Sequence, residues 1–375
     1  ANQVFHGVTT YTCILILQGT TNESEVRVVN IQKIDYAVST CGQIARSDLS
    51  LPGRAEVFFT GHPKNDSPWS FSKSELSTTF ESLPRLNKVA QIFVGVQTNA
   101  DDVYYLKPIK TKHKATTVRV FCSCSNKEYD IEVEILRDIL QGANVASYEL
   151  REPIAKIIFP FEPNIKQRFV PISAADLRIR FPLAAQFFAD NPIKERLQKR
   201  AKGKLCDSDE FWDFIYRKNL AKQSLTKICV PRLAEHVIAA LDEDGRYCLD
   251  NVDVCGVIPI HKNLDIAYLL ALLNSRLLDR YMKKTIRDNF RGGYLSLNKQ
   301  FLGLLPIKIP QNKDEKNAAR RIAAKSFQVI DAKKRLMTSR LSDRERTQIE
   351  REIEAHEARI DGFVCELYGV KKIPE

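Results

Sequence analysis

The sequence predicts an α+β protein with a mixed α/β middle, and three observations predict it. Short β-branched segments separated by polar loops occupy the first half, 89–96, 103–106 and 116–121 among them. Helical periodicity sets in later, most strongly over 265–284, where Leu269, Leu270, Leu272, Leu273 and Leu277 make an apolar stripe. Two long amphipathic patterns, 312–337 and 342–368, then close the chain around a short polar turn.

In chain order, 11–17 and 26–31 are β-branched runs joined by Gly19, Thr20, Thr21 and Asn22, which reads as a hairpin. The chain opens at Ala1 only a few residues ahead of a strand, as expected of a piece of a longer protein. An amphipathic helix is expected over 176–202, where Pro182 and Pro192 are placed to break it and the basic finish at 194–204 suits a C-terminal helix dipole. A further helix over 209–220 would carry Phe211, Trp212, Phe214, Ile215 and Tyr216. Strands over 226–231 and 247–258 precede the apolar helix, and Pro306 and Pro310 end this unit. Ser342 and Glu345 stand at capping-box spacing, and Ile349, Ile353, Ile360, Val364 and Leu367 keep to one face. Neither terminal helix can bury its stripe alone, so an antiparallel hairpin is expected, and the chain divides at 1–84, 85–310 and 311–375.

Fifty-seven Lys and Arg against 46 Asp and Glu leave a formal charge of +11, which favours a polyanionic partner. Nine cysteines without a regular framework suit reduced thiols and a cytoplasmic location. No apolar run approaches the roughly 18 residues of a membrane span, and the longest run near the start, 13–17, has no basic segment before it. Cys122 and Cys124 have no second cysteine pair or paired histidines beside them, which reads as a strand end rather than a zinc site. No nucleophile triad, zinc-protease motif or phosphate-binding loop is present, and His6, His62, His113, His236, His261 and His356 are scattered. Asp314 and Glu315, followed by Lys316, open a helix, where acids suit the dipole.

Several blocks occur in a telling order: IFVGVQTNADDVYYL, ILRDILQGANVASYEL, IIFPFE, FPLAAQFFADNPIKERLQKR, FWDFIYRKNL, KICVPRL, LNSRLLDRYMKK and GGYLSLNKQFLGLLPIKIP, closed by LSDRERTQIEREIEAHEARIDGFVCELYGV. Together they resemble the TaqI-like C-terminal specificity domain of adenine-specific DNA methyltransferases and single-chain restriction-modification enzymes. VFHGVTTYTCILIL is similar to the last strands of the methyltransferase catalytic domain of such enzymes, so the resemblance makes 1–84 the remnant of that domain, 85–310 the target-recognition domain and 311–375 a helical hairpin. It also places Phe5 where an aromatic ring stacks on the flipped adenine of the parent. Such an enzyme carries a glycine-containing cofactor loop and an Asn-Pro-Pro-Tyr-like tetrapeptide, and neither occurs here. The Asn191 and Pro192 pair is followed by Ile193 and Lys194, with no aromatic face, and reads as helix structure.

Three groups of residues are candidates for holding DNA. Gln97, Thr98 and Asn99 occupy a polar loop between strands, and Gln or Asn can pair bidentately with adenine, although ordinary turns look the same. Lys107, Lys110, Lys112, Lys114 and Arg119 are suited to phosphates, or to a merely solvated loop. Arg276, Arg280, Lys283 and Lys284 recur at helical spacings of three and four, and Arg287, Arg291, Gly292, Gly293 and Tyr294 follow; the bland reading is the wet side of a leucine-cored helix.

The expectation is therefore a DNA-specificity module without catalytic residues, a cofactor or a metal of its own. Double-stranded DNA and the upstream methyltransferase catalytic domain would be its partners, with S-adenosylmethionine used by the parent and no membrane involved. Two alternatives stand beside it: a complete enzyme of unfamiliar design, and a scaffold or interaction subunit of a phage-defence complex whose working surface is the helical hairpin.

Overall fold

The computed structural model describes the backbone of 26–31 and 55–61, and residues 80–109, 116–203, 208–286, 293–337, 341–371 and 373. β1 (Val26–Ile31) and β2 (Ala55–Gly61) pair antiparallel, with a register slip between Val28 and Val29. The segment expected to pair with β1, 11–17, lies outside the described residues.

The chain next forms β3 (Ala90–Val94), β4 (Tyr105–Pro108), β5 (Thr117–Cys122), β6 (Lys127–Glu132), β7 (Leu136–Leu140) and β8 (Lys156–Ile158). Three short helices follow, α1 (Ala174–Arg180), α2 (Pro182–Ala189) and α3 (Asn191–Gln198), so both prolines break the expected helix, each in the first turn of a new piece. β9 (Lys227–Pro231), β10 (Leu233–Ala234), β11 (Ala240–Asp242), β12 (Tyr247–Leu249) and β13 (Val254–Pro259) come next. α4 (Ile266–Leu273), α5 (Arg276–Tyr281), β14 (Leu295–Ser296), α6 (Lys299–Leu302), α7 (Lys313–Leu336) and α8 (Asp343–Tyr368) complete the α+β fold.

Two sheets organise the middle of the chain. One has the order β12-β7-β8-β4-β5-β6, antiparallel throughout except that β12 runs parallel to β7. The other, β11-β9-β13-β3, is entirely antiparallel. The expected single strand over 247–258 is thus two strands, one in each sheet. Asp250 causes the break: its Oδ1 accepts from the backbone amides of Val252 at 2.7 Å and Asp253 at 3.2 Å, a local turn that ends the ladder.

The core on the six-stranded sheet is completed by α1–α3 and by an aromatic cluster of Phe211, Trp212 and Phe214. That cluster overturns the helix expected over 209–220, because its backbone carbonyls are engaged elsewhere. The buried Arg200 guanidinium donates to the Phe211 and Asp213 carbonyls, both at 2.9 Å, and the Tyr104 hydroxyl donates to that of Trp212 at 2.5 Å. A helix would need those oxygens for its own ladder.

A second core joins the four-stranded sheet to α4, α5 and the terminal hairpin. The helix expected over 265–284 is broken at Asn274 and Ser275. Asn274 exchanges two 2.9 Å hydrogen bonds with the Ala239 backbone, and the Ser275 hydroxyl caps α5 by accepting from the Leu278 amide. α7 and α8 form the expected antiparallel hairpin, and the Ser342–Glu345 capping box opens α8. Arg335 meets Glu352 at 2.5 Å across the hairpin, and Arg321 lies over the Phe363 ring. Hairpin and sheet share one core: α7 packs on α4, and the Tyr368 hydroxyl bonds the backbone of Pro306 and Lys308, each at 3.0 Å.

Candidate nucleic-acid interface

The polar loop after β3 is held from inside. Thr98 is fully buried: its hydroxyl bonds the Asp101 carboxylate and accepts from the Ala100 amide at 3.0 Å, and its carbonyl accepts from Arg200 at 2.6 Å. Burial, with Asp250 and Asp102 nearby, raises the Asp101 carboxyl above its ordinary pKa despite the Thr98 hydroxyl. Thr98 is therefore a pin, and the groups the loop can offer are the half-buried Gln97 and the exposed Asn99. Asn99 sits at φ 58°, in the left-handed region that asparagine tolerates better than most residues.

A neighbouring segment carries features that sequence reasoning missed. Gln97 is joined by a β-bridge to Tyr216, which is 44% exposed, and Lys218 reaches over the Tyr216 ring. Asn219 donates to the Val94 carbonyl at 3.2 Å and accepts from the Lys222 ammonium at 2.9 Å. Lys222 in turn lies 5.4 Å from the Phe93 ring centroid, on β3, the strand against which α6 packs to bring up Lys299. Burial and the Lys299 charge lower the Lys222 pKa, and neither lysine has an ion pair among the described residues. Two unneutralised cations drawn together in this way suit an anion.

From Lys299 the contacts continue. The Arg232 carbonyl accepts from the Leu297 amide at 2.9 Å, and the β10–β14 pairing carries Leu233 opposite Ser296. Tyr294, a sequence candidate, stands 40% exposed just ahead of β14. Beyond β10, His236 is 63% exposed and meets both Asp279 and Lys283.

The cations expected on one helical face are divided. Arg276 bonds Asp361 on α8 through its backbone amide at 2.9 Å and its Nε at 2.5 Å, so it braces the hairpin. Lys283 pairs with Asp279 at 2.8 Å. Arg280 and Lys284 are half-buried, and the π-turn Met282–Ile286 further breaks the regular spacing. Lys107 is exposed on β4, whereas Arg119 is paired with Glu128 and Asp130, both at 3.1 Å. Phe5, Lys110, Lys112, Lys114, Arg287 and Arg291 lie outside the described residues.

The structure thus joins the loop at Gln97 to the segment Tyr216–Lys222 through a β-bridge and side-chain bonds, and packs α6, which bears Lys299, on the adjoining β3, in an α+β protein of formal charge +11. Residues 137–307 match the TaqI-like C-terminal specificity domain, which bears out over that stretch the resemblance seen in the sequence blocks. The chain is also similar to the type II restriction enzyme and methyltransferase RM.Eco57I of Escherichia coli, at 23% identity over 394 aligned positions that cover 99% of this chain. Only 37% of that relative is covered, so the chain spans little more than a third of its length. No helix among the described residues is long and apolar enough to cross a membrane.

Proposed function

We propose that this chain is the target-recognition part of a restriction-modification adenine methyltransferase and that it reads duplex DNA. One observation carries the reading: the loop of Gln97 and Asn99, which offer the hydrogen bonds that read bases, is bridged at Gln97 to the segment that carries Lys222, and α6 packs on the adjoining β3 with Lys299. Lysines fix a protein on the phosphate backbone without sequence preference, and amide side chains at base edges supply the discrimination. The specificity-domain match over 137–307 supports the same assignment. Arg280, Lys284, Arg287, Arg291 and Tyr294 extend the phosphate contacts, and Lys110, Lys112 and Lys114 add a second set.

In this reading methyl transfer from S-adenosylmethionine belongs to an upstream catalytic domain, acting in the cytoplasm where its DNA lies, and Phe5 stacks on the flipped adenine there. The chain's Asn191–Pro192 pair is unsuited to that chemistry: it forms the first turn of α3, and the next residue, Ile193, is fully buried. The scaffold alternative is less favoured, because the apolar stripes of α7 and α8 are already buried in the core shared with α4 and α5.

Charge reversal tests the proposal. Lys222→Glu with Lys299→Glu is expected to abolish duplex binding at moderate salt while the circular dichroism spectrum stays unchanged. Undiminished binding by that folded variant would contradict it.

A further inference from the structure

His236 follows β10 and presents an exposed imidazole beside the described cationic residues of α5 and the π-turn. Its Nδ1 lies 2.7 Å from the Lys283 ammonium and 3.2 Å from a carboxylate oxygen of Asp279. Lys283 also donates to that carboxylate at 2.8 Å, and the other Asp279 oxygen accepts from the Val237 amide at 2.9 Å. Asp279 is nearly buried, so this arrangement is anchored in the core at one end and open to solvent at the other.

An ammonium has donors and no acceptor. The shorter contact is satisfied when Nδ1 accepts from Lys283, with Lys283 bridging the ring and the Asp279 carboxylate, and that tautomer carries the ring proton on Nε2, on the side away from Lys283. Lys283, expected from the sequence to bind phosphate itself, is instead occupied in orienting the ring.

We infer that His236 is a backbone-contacting residue of the DNA interface, held by Lys283 and Asp279 as a neutral Nε2–H donor to a phosphodiester oxygen. The inference rests on the duplex-binding reading and adds to it a contact of a different physical kind. A cation that meets a phosphate releases counterions and steepens the salt dependence of binding, by about 0.9 in the log–log slope per contact. A neutral donor strengthens binding and leaves that slope unchanged.

The test is a salt titration of duplex affinity, by fluorescence anisotropy near neutral pH, for the whole chain and its His236→Ala, His236→Asn and His236→Gln variants. His236→Ala is expected to weaken binding roughly tenfold, as for one hydrogen bond to a charged group, on every duplex and with the wild-type slope. His236→Gln carries its amide nitrogen near the Nε2 position and should recover most of the loss, whereas His236→Asn places it near Nδ1 and should not. Lys283→Met should cost a similar factor, and His236→Ala should add little in that background. Wild-type affinity in His236→Ala, a slope reduced by about one, or no advantage of Gln over Ala would each overturn the inference and leave the DNA reading intact. A wild-type chain that shows no salt-dependent duplex binding would remove the DNA reading itself, and this contact with it.

Discussion

The Arg200 guanidinium donates at 2.6 Å to the carbonyl of Thr98, and so ties the end of α3 to the loop that carries Gln97 and Asn99. The same group holds the carbonyls of Leu197, Phe211 and Asp213 and lies over the Tyr104 ring. Arg200→Met would leave these buried oxygens without their donor, and a loss of about 3–5 kcal/mol of stability is expected. Arg200→Lys should recover only part of it, because a single ammonium cannot span the positions reached by a planar fork. Urea denaturation of the two variants checks the order.

Gln97 and Asn99 should affect discrimination more than grip. Gln97→Ala or Asn99→Ala is expected to reduce the preference for the recognised sequence by about 1–3 kcal/mol, with affinity for unrelated duplex unchanged. Competition binding with cognate and scrambled duplexes makes the distinction. Equal losses on both would reassign the loop to phosphate contact.

Lys222 and Lys299 should behave in the opposite way. Each alanine substitution is expected to lower the salt slope by about 0.9 on any duplex. Because burial and Lys299 depress the Lys222 pKa, this lysine loses its proton at a lower pH than an ordinary one. Duplex affinity should therefore begin to fall as alkaline pH passes through that lowered value. Lys222→Arg, which stays protonated, should bind without this decline, and affinity titrations between neutral and alkaline pH compare the two.

Lys227 and Asp242 form a solvent-inaccessible pair at 2.5 Å across β9 and β11, and Asp242 also accepts from the Arg246 and Tyr247 amides that lead into β12. Either Lys227→Met or Asp242→Asn should cost about 3–5 kcal/mol by leaving a buried charge unpaired. The double variant should lose clearly less than the sum of the two. Additive losses in denaturation would mean that the pair is not coupled.

Much of the fold was legible where local rules and tertiary packing agree. The hairpin is the clearest case: the Ser342–Glu345 box marks the start of α8, and the stripe from Ile349 to Val364 is buried as its spacing predicts. Segment 209–220 was misread because its aromatic density looks helical, while the arginine that captures its carbonyls stands outside the segment. The break at Asn274 was likewise hidden, since it depends on bonds to Ala239.

The site was legible only in part, for the same reason. Sequence locates cations but not the distant acids that meet them, so Arg276 looked available until Asp361 came beside it, whereas Asp279 stands four residues before Lys283 and its pairing follows from helical spacing. Lys222 and Lys299 lie in unremarkable sequence contexts, and only the packing of α6 against β3 brings them together.

The central claim is that this chain reads base sequence on duplex DNA. The most direct test is selection from a random duplex pool at moderate salt by the intact chain, with sequencing of the retained DNA. The account predicts enrichment of one shared sequence, which disappears in a Gln97→Ala, Asn99→Ala variant that still retains DNA. Retained DNA with no common sequence, or no retention by the folded chain, would contradict it.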